Sequence, residues 1–459
     1  MKLKESTYVI ILASIASFVV AYISAAPAVA LPAMAKQFAL SNILQNWVVN
    51  AFLFSVAIFA VPLGSFSSKI GIKKSFIIGN IIFLLGSIVS TLAFSDWSLL
   101  LFRAFQGIGA ALIYTTVMSI VNLAVPEKIR GKALGIVVAF VYIGLAIAPV
   151  IGGVLSYNFG WPSIFYISIP FVLITILITQ LKLKDEWVLS KGEKFDSKGS
   201  ILWAIAILLF IYGFTIINQF NGIIMVIIGL CLIIGFGIWE LKAKSPVYDV
   251  KVFKDKKFTS SNIASIISYI ATFVVTYILN YHMQYILGMD SQSAGLFLII
   301  TPLTMAVVSP FAGKLSDKFN PQKLAAIGMV FVTVSLLILC FLTKDTPMYI
   351  IILSMLIQGI GFGIFSSPNT NIIMSSVPPK DTPTASISVT VMRVVGQTMS
   401  LAILTIVFAM IMGNVPIIPE YYGLLSFSSQ VTCMISVILC IIAIYASLVG
   451  VRSAKNLQN

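Results

Sequence analysis

Solid apolar runs alternate with short polar segments along the whole chain, and each run is as long as a bilayer is thick. A helix of about 20 apolar residues crosses the roughly 30 Å hydrocarbon layer. Fourteen such runs occur, near 7–29, 46–66, 74–94, 98–122, 132–156, 161–181, 200–217, 222–240, 260–286, 293–313, 324–342, 347–374, 384–412 and 426–450. They predict an all-α membrane protein with 14 transmembrane helices. Runs such as Ile223–Ile238 are continuous, whereas the strands of a membrane β-barrel alternate apolar and polar positions. The first run follows Met1-Lys-Leu-Lys-Glu5 with no small-residue cleavage site, so a retained helix is expected rather than a signal peptide.

Composition agrees: 59% of residues are hydrophobic and 10% charged, against about a quarter charged in soluble domains. The net charge of +14 invites a nucleic-acid reading until its distribution is read. Outside the membrane, Lys36 and Lys344 are the only basic residues on the segments of one side. All the others alternate onto the opposite side, including Lys2, Lys4, Lys69, Lys73, Lys74, Lys128, Arg130, Lys132, Lys314, Lys318, Lys380, Arg452 and Lys455, together with the lysines of segments 182–198 and 242–257. This is the positive-inside pattern. It predicts both termini in the cytoplasm, a multi-pass plasma-membrane protein touching anionic lipid, and no nucleic-acid partner. Cys231, Cys340, Cys433 and Cys440 lie in apolar runs without metal-ligand spacing, which predicts small core residues and no metal site.

The chain also repeats itself. Gln106-Gly-Ile-Gly returns as Gln358-Gly-Ile-Gly, 252 residues on, and the same offset pairs Pro126 with Pro378, Ala133 with Ala385 and Gly144 with Gly396. Gly64-Ser-Phe-Ser-Ser68-Lys69 echoes Gly313-Lys-Leu-Ser-Asp317-Lys318 at an offset of 249. Two pseudo-repeated six-helix bundles, 1–181 and 260–459, are expected, with segment 182–259 a linker that carries an inserted pair, helices 7 and 8. Such repeats place a solute pathway between the halves and alternate access by rocking one against the other.

The fifth run, Gly144-Leu-Ala-Ile-Ala-Pro149-Val-Ile-Gly152-Gly153, has the small residues that let membrane helices pack backbone to backbone and a proline that permits a bend. It resembles the antiporter motif of the major facilitator superfamily's fourteen-helix drug:proton antiporter branch. Arg103-Ala-Phe-Gln106-Gly107-Ile-Gly109 resembles that branch's arginine motif. Further matches are Trp161…Phe165…Pro170, Asp196-Ser-Lys-Gly199, Gln284 through Gly288, Gly295, Pro302, Gly359–Asn369 and Arg393…Gly396-Gln397. The loop Gly64-Ser-Phe-Ser-Ser68-Lys69-Ile-Gly71-Ile-Lys73-Lys74 resembles the superfamily's loop motif, but Ser68 stands where the family has Asp. In Tyr22-Ile23-Ser-Ala-Ala-Pro-Ala28, Ile23 takes the branch's acidic position and Ala28 its Asn.

All 15 acidic residues lie in loops or at helix ends, so Arg103 and Arg393 have no carboxylate at comparable depth. A lone membrane arginine should face the bundle interior or a wet cavity, binding carbonyls or a solute. Both roles remain open for Arg103; Arg393, roughly 13 Å into helix 13 at 1.5 Å per residue, is expected in the pathway. An unpaired guanidinium suits an anionic or strongly hydrogen-bonding solute. His282, the single histidine, is either an interfacial residue or the available proton carrier. Asn50, Tyr114, Gln284, Gln358, Asn369 and Gln397 are candidate cavity groups, each also able to serve as a helix–helix hydrogen bond. Gly64, Ser68, Lys69, Gly71, Lys73, Lys74, Gly144, Pro149, Gly152, Gly153, Gly313, Asp317 and Lys318 form the expected conformational motifs. The glycines sit inside membrane helices rather than in phosphate-cradling loops, so neither enzyme activity nor a cofactor is expected. The resemblance implies a monomeric secondary transporter exporting small amphipathic molecules. The missing membrane acids leave proton coupling open, with an organic-anion or lipid facilitator, or a non-transporting sensor, as alternatives.

Overall fold

The computed structural model describes residues 2–38, 42–289, 291–413 and 419–455, with side chains undescribed at a few helix ends. Asp290 and the side chains of Lys2, Lys4, Arg452 and Lys455 lie outside the described residues. Fourteen helices are long and apolar enough to cross a membrane. They are α1 (Glu5–Leu31), α2 (Trp47–Ile70), α3 (Ile72–Thr91), α4 (Asp96–Ala124), α5 (Glu127–Phe159), α6 (Ser163–Lys182), α7 (Ser197–Thr215), α8 (Phe220–Lys242), α9 (Lys256–Ile286), α10 (Ser293–Ser316), α11 (Pro321–Leu339), α12 (Met348–Ser375), α13 (Pro379–Ile411) and α14 (Pro419–Val449). Every predicted span has its helix, and among the described residues there is no strand.

The irregularities follow local chemistry. Helix α1 breaks between Ala25 and Pro27, because proline offers no N–H to the turn before it. The end of α9 widens into a π-turn over His282–Ile286, the Leu287 N–H bonding back to the His282 carbonyl. Pro149 is carried inside α5, the 33-residue Glu127–Phe159.

Packing repeats in kind along the chain. Helix α4 lies against α2 and α3, and α12 against α10 and α11; α1 packs on α5 and α6, as α9 does on α13 and α14. Helices α7 and α8 pair with each other, and α7 leans on α2 and α13. Two seams join the first six helices to the last six, α5 against α10 and α2 against α13. Glycine makes such close approach feasible: a Cβ on Gly144 would stand 2.6 Å from the Phe18 carbonyl oxygen of α1. The buried apolar side chains form two clusters, one drawn mainly from α1–α8 with part of α13, the other mainly from α9–α14. By contrast α8 turns Ile223, Ile227, Ile234 and Ile238 outward, an apolar face that only lipid would match.

Candidate functional site

The seams are shut at the end of the bundle that carries the lysine-rich segments. On α5 and α10 the carboxylate of Asp317 accepts from the backbone N–H groups of Gly131 (2.8 Å) and Lys132 (2.9 Å). Burial pushes the Asp317 carboxyl up, while those two donors and nearby Arg130 pull it down. Beside the other seam α4 also meets α13: Ser119 and Ser386 share a hydrogen bond of 2.9 Å, and the Asn122 amide donates to the Thr382 hydroxyl at 3.0 Å.

Beyond that closed end, about mid-way along the helices, lies a cavity of about 70 Å³. Its wall takes Ser24 from α1, Leu53 and Val56 from α2, Tyr114 and Met118 from α4, Tyr142 and Leu145 from α5, Tyr269 from α9, Ser366 and Thr370 from α12, and Val389, Arg393 and Gln397 from α13. No acidic residue lines it. The Arg393 guanidinium lies over the Tyr114 ring, 4.2 Å from its centroid. The Tyr142 hydroxyl donates to Ser366 at 2.9 Å, and Phe362 buttresses both Tyr142 and Tyr269. The chamber therefore offers one cation, three phenols, an amide and flat aromatic walls. Those are groups that stack on planar solutes and hydrogen-bond to carbonyls or anions.

The sequence candidates divide. Arg393, Tyr114 and Gln397 come together here. Arg103 does not. It is fully buried among α1, α2, α4 and α6, its Nε donating to the Val48 carbonyl at 3.1 Å, Nη2 to that of Ile23 at 3.4 Å and Nη1 to the Gln106 side chain at 2.5 Å. The Phe52 and Phe165 rings cover it at 4.7 and 5.7 Å, and Gln106 passes the network on to Ser87 at 2.8 Å. Asn369 ties α12 to the Ser261 carbonyl of α9 at 3.1 Å, and Gln284 bonds Asn280 at 2.7 Å. Gln358 and Asn50 are not among the lining residues, Gln358 being buried in α12 and Asn50 half-buried in α2. His282 is buried too, its Nε2 without a hydrogen-bond partner. It stands 13 residues beyond Tyr269, about 20 Å along α9 at 1.5 Å per residue.

Five polar lining groups, Ser24, Tyr142, Tyr269, Ser366 and Thr370, escaped sequence reasoning. Tyr142 precedes the glycine-rich pattern of α5 by two residues, a detectable cue. Tyr269 and Ser366 carry no motif, and an aromatic in an apolar run reads as core. A larger open cleft of about 340 Å³ lies near Asp255, Asn320 and Ser376 at the lysine-rich end, and it holds none of the pathway candidates.

The profile of the Major Facilitator Superfamily matches residues 13–243 and 262–458. The chain belongs to the Major Facilitator Superfamily. It is a multi-pass membrane transporter of that superfamily, not an enzyme. Among curated members it is similar to the riboflavin transporter RibZ of Clostridioides difficile (strain 630), 32% identical over 77% of each chain. It is also similar to the multidrug resistance protein Stp of Mycobacterium tuberculosis (strain CDC 1551 / Oshkosh), 26% identical over 83% of this chain and 72% of that one. The fold is shared with the human organic anion transporter MFSD10, with a TM-score of 0.70, 10% identity, and 95% of this chain and 99% of that one covered. The XylE proton:xylose symporter shares it at a TM-score of 0.67 and 16% identity, with 95% of each chain covered.

Proposed function

We propose that the protein is an alternating-access carrier of small, flat, amphipathic solutes that are neutral or anionic, with riboflavin the first solute to test. The observation that carries this reading is the chamber around Arg393, which has a guanidinium and three tyrosines but no carboxylate. A cationic drug entering it would meet like charge at low dielectric, whereas an isoalloxazine-type ring system could stack on tyrosine and accept from Arg393 and Gln397. Similarity to a riboflavin transporter supports the same solute class. A second reading, export of amphipathic drugs, is favoured by the similarity to Stp, and the chamber would then select uncharged or acidic drugs.

In this reading the lysine-rich end faces the cytoplasm, as the positive-inside rule requires, and the described conformation is closed on that side. The halves 1–181 and 260–459 rock about the chamber, with segment 182–259 riding between them. Pro149, Gly152 and Gly153 give α5 its bend and close packing. Arg393 and Tyr114 contact solute; Arg103 holds helices together. Proton coupling through a chamber carboxylate is not part of the reading, because Ile23 and α13 supply none. Proteoliposomes test it: riboflavin flux is expected down its own gradient, with little change when a pH gradient is imposed. Uphill accumulation driven by the pH gradient would overturn the uncoupled version, and His282→Ala would show whether the histidine carries that proton.

A further inference from the structure

The two seams at the lysine-rich end are closed by different devices. At α5/α10, Asp317 grips the backbone N–H groups of Gly131 and Lys132. The offsets of 249 and 252 map this grip onto Ser68 and onto Pro383 and Thr384 at the start of α13. Both sides of the grip are altered there. Ser68 has no carboxylate, and its hydroxyl donates back to Ser65 at 2.7 Å; Pro383 has no N–H to offer.

Besides its bonds to Ser119 and Asn122 of α4, α13 is held there from the inserted pair. After α8 the chain tucks inward, burying Val247 and Tyr248, and the Tyr248 hydroxyl bonds the Ser388 hydroxyl of α13. Ser388 adjoins Val389, which lines the solute chamber. The loop is anchored from behind: the carboxylate of Glu240, fully buried at the end of α8, accepts from the Tyr248 backbone N–H at 3.1 Å. It is also tied to the end of α2 and to the segment before α7, since the Lys69 ammonium bonds the Ser245 hydroxyl (3.3 Å), which donates to Glu193 (2.8 Å). A buried tyrosine hydroxyl aimed across a seam, on a loop braced at its base, has the form of a latch.

We infer that the inserted helices α7 and α8 serve as a gate element, with Tyr248 on the loop after α8 latching Ser388 of α13 beside the α2/α13 seam, where the repeat's own carboxylate latch is missing. This rests on the alternating-access reading but not on the solute. Its test is the reactivity of Val389→Cys toward a membrane-impermeant maleimide applied to the lysine-rich face in everted vesicles, with the four native cysteines replaced by serine. Because the reagent reaches position 389 only through an opened seam, the labelling rate follows the open fraction. Tyr248→Phe and Ser388→Ala should each raise the rate about fivefold, the ratio expected for one buried hydrogen bond, and the double variant should raise it no further. An unchanged rate in both single variants, or additive effects in the double, would overturn the latch. No solute is needed, so a wrong substrate assignment leaves this result intact, whereas an absence of flux in proteoliposomes would speak against the transporter reading alone.

Discussion

Arg103 and Arg393 are the same residue type, one fully buried in α4 and the other half-buried in α13, and they are held in opposite ways. Arg103 spends its donors on the Val48 and Ile23 carbonyls and on Gln106, under two aromatic rings. Arg393 stacks on one tyrosine at the wall of the chamber. A guanidinium that has consumed its hydrogen-bonding capacity within the protein is a structural cross-link; one left against a cavity is available to a solute. The difference lies in the neighbours. Arg103 has Gln106 one turn along α4 and a proline-broken α1 nearby, whose chain presents the Ile23 carbonyl. Arg393 faces tyrosine and serine side chains, with no carboxylate lining the chamber.

The largest expected effect breaks the comparison on the structural side. Arg103→Ala would leave a void beneath the Phe52 and Phe165 rings and strip a donor from the Val48 and Ile23 carbonyls and from Gln106, a loss of about 3 kcal/mol or more, read as a collapse in monodisperse yield and a lower Tm in detergent. If Arg103→Ala instead kept its Tm and lost only riboflavin binding, the two arginines would have the same role. Gln106→Leu should cost less, about 1–3 kcal/mol by thermal unfolding, because it removes one acceptor of Arg103 and one donor to Ser87, which keeps its bonds to Phe83 and Ser168. On the chamber side, Tyr114→Leu removes the ring under Arg393, and riboflavin binding should weaken by about fivefold to thirtyfold, the range for a desolvated cation–π contact. Tyr142→Phe is the smallest. It deletes one hydrogen bond to Ser366 and should change the riboflavin Kd by about threefold or less, measured by equilibrium fluorescence quenching.

Much of this was legible in the chain. Apolar run length set every helix, because the bilayer imposes one length scale on all of them. The repeated Gln-Gly-Ile-Gly blocks fell on α4 and α12, which pack alike within their neighbours. Arg393, Tyr114 and Gln397 were recognisable as cavity candidates because a charge or polar group deep in an apolar run needs an explanation. The chamber's other two tyrosines were not, since burial of a phenol against core and against a cavity leave the same mark in sequence. Asn369 and Gln284 show the converse: polar residues at comparable depth whose partners, Ser261 and Asn280, come from a neighbouring helix and from the preceding turn of α9 itself. Nor does any local pattern show that Tyr248, in a charged loop, folds back into the seam. That placement depends on Glu240 and on the start of α13, more than 130 residues further on.

The central claim, that the Arg393 chamber is the solute site and Arg103 is not, has one direct test. Riboflavin binding to purified protein is measured for the wild type and for Arg393→Ala, alongside the Tm of each without ligand. The account predicts a Kd weakened about tenfold or more, equivalent to about 1.4 kcal/mol, with the ligand-free Tm unchanged. An unchanged Kd for Arg393→Ala, or equally tight binding of a cation such as ethidium to the wild type, would contradict it.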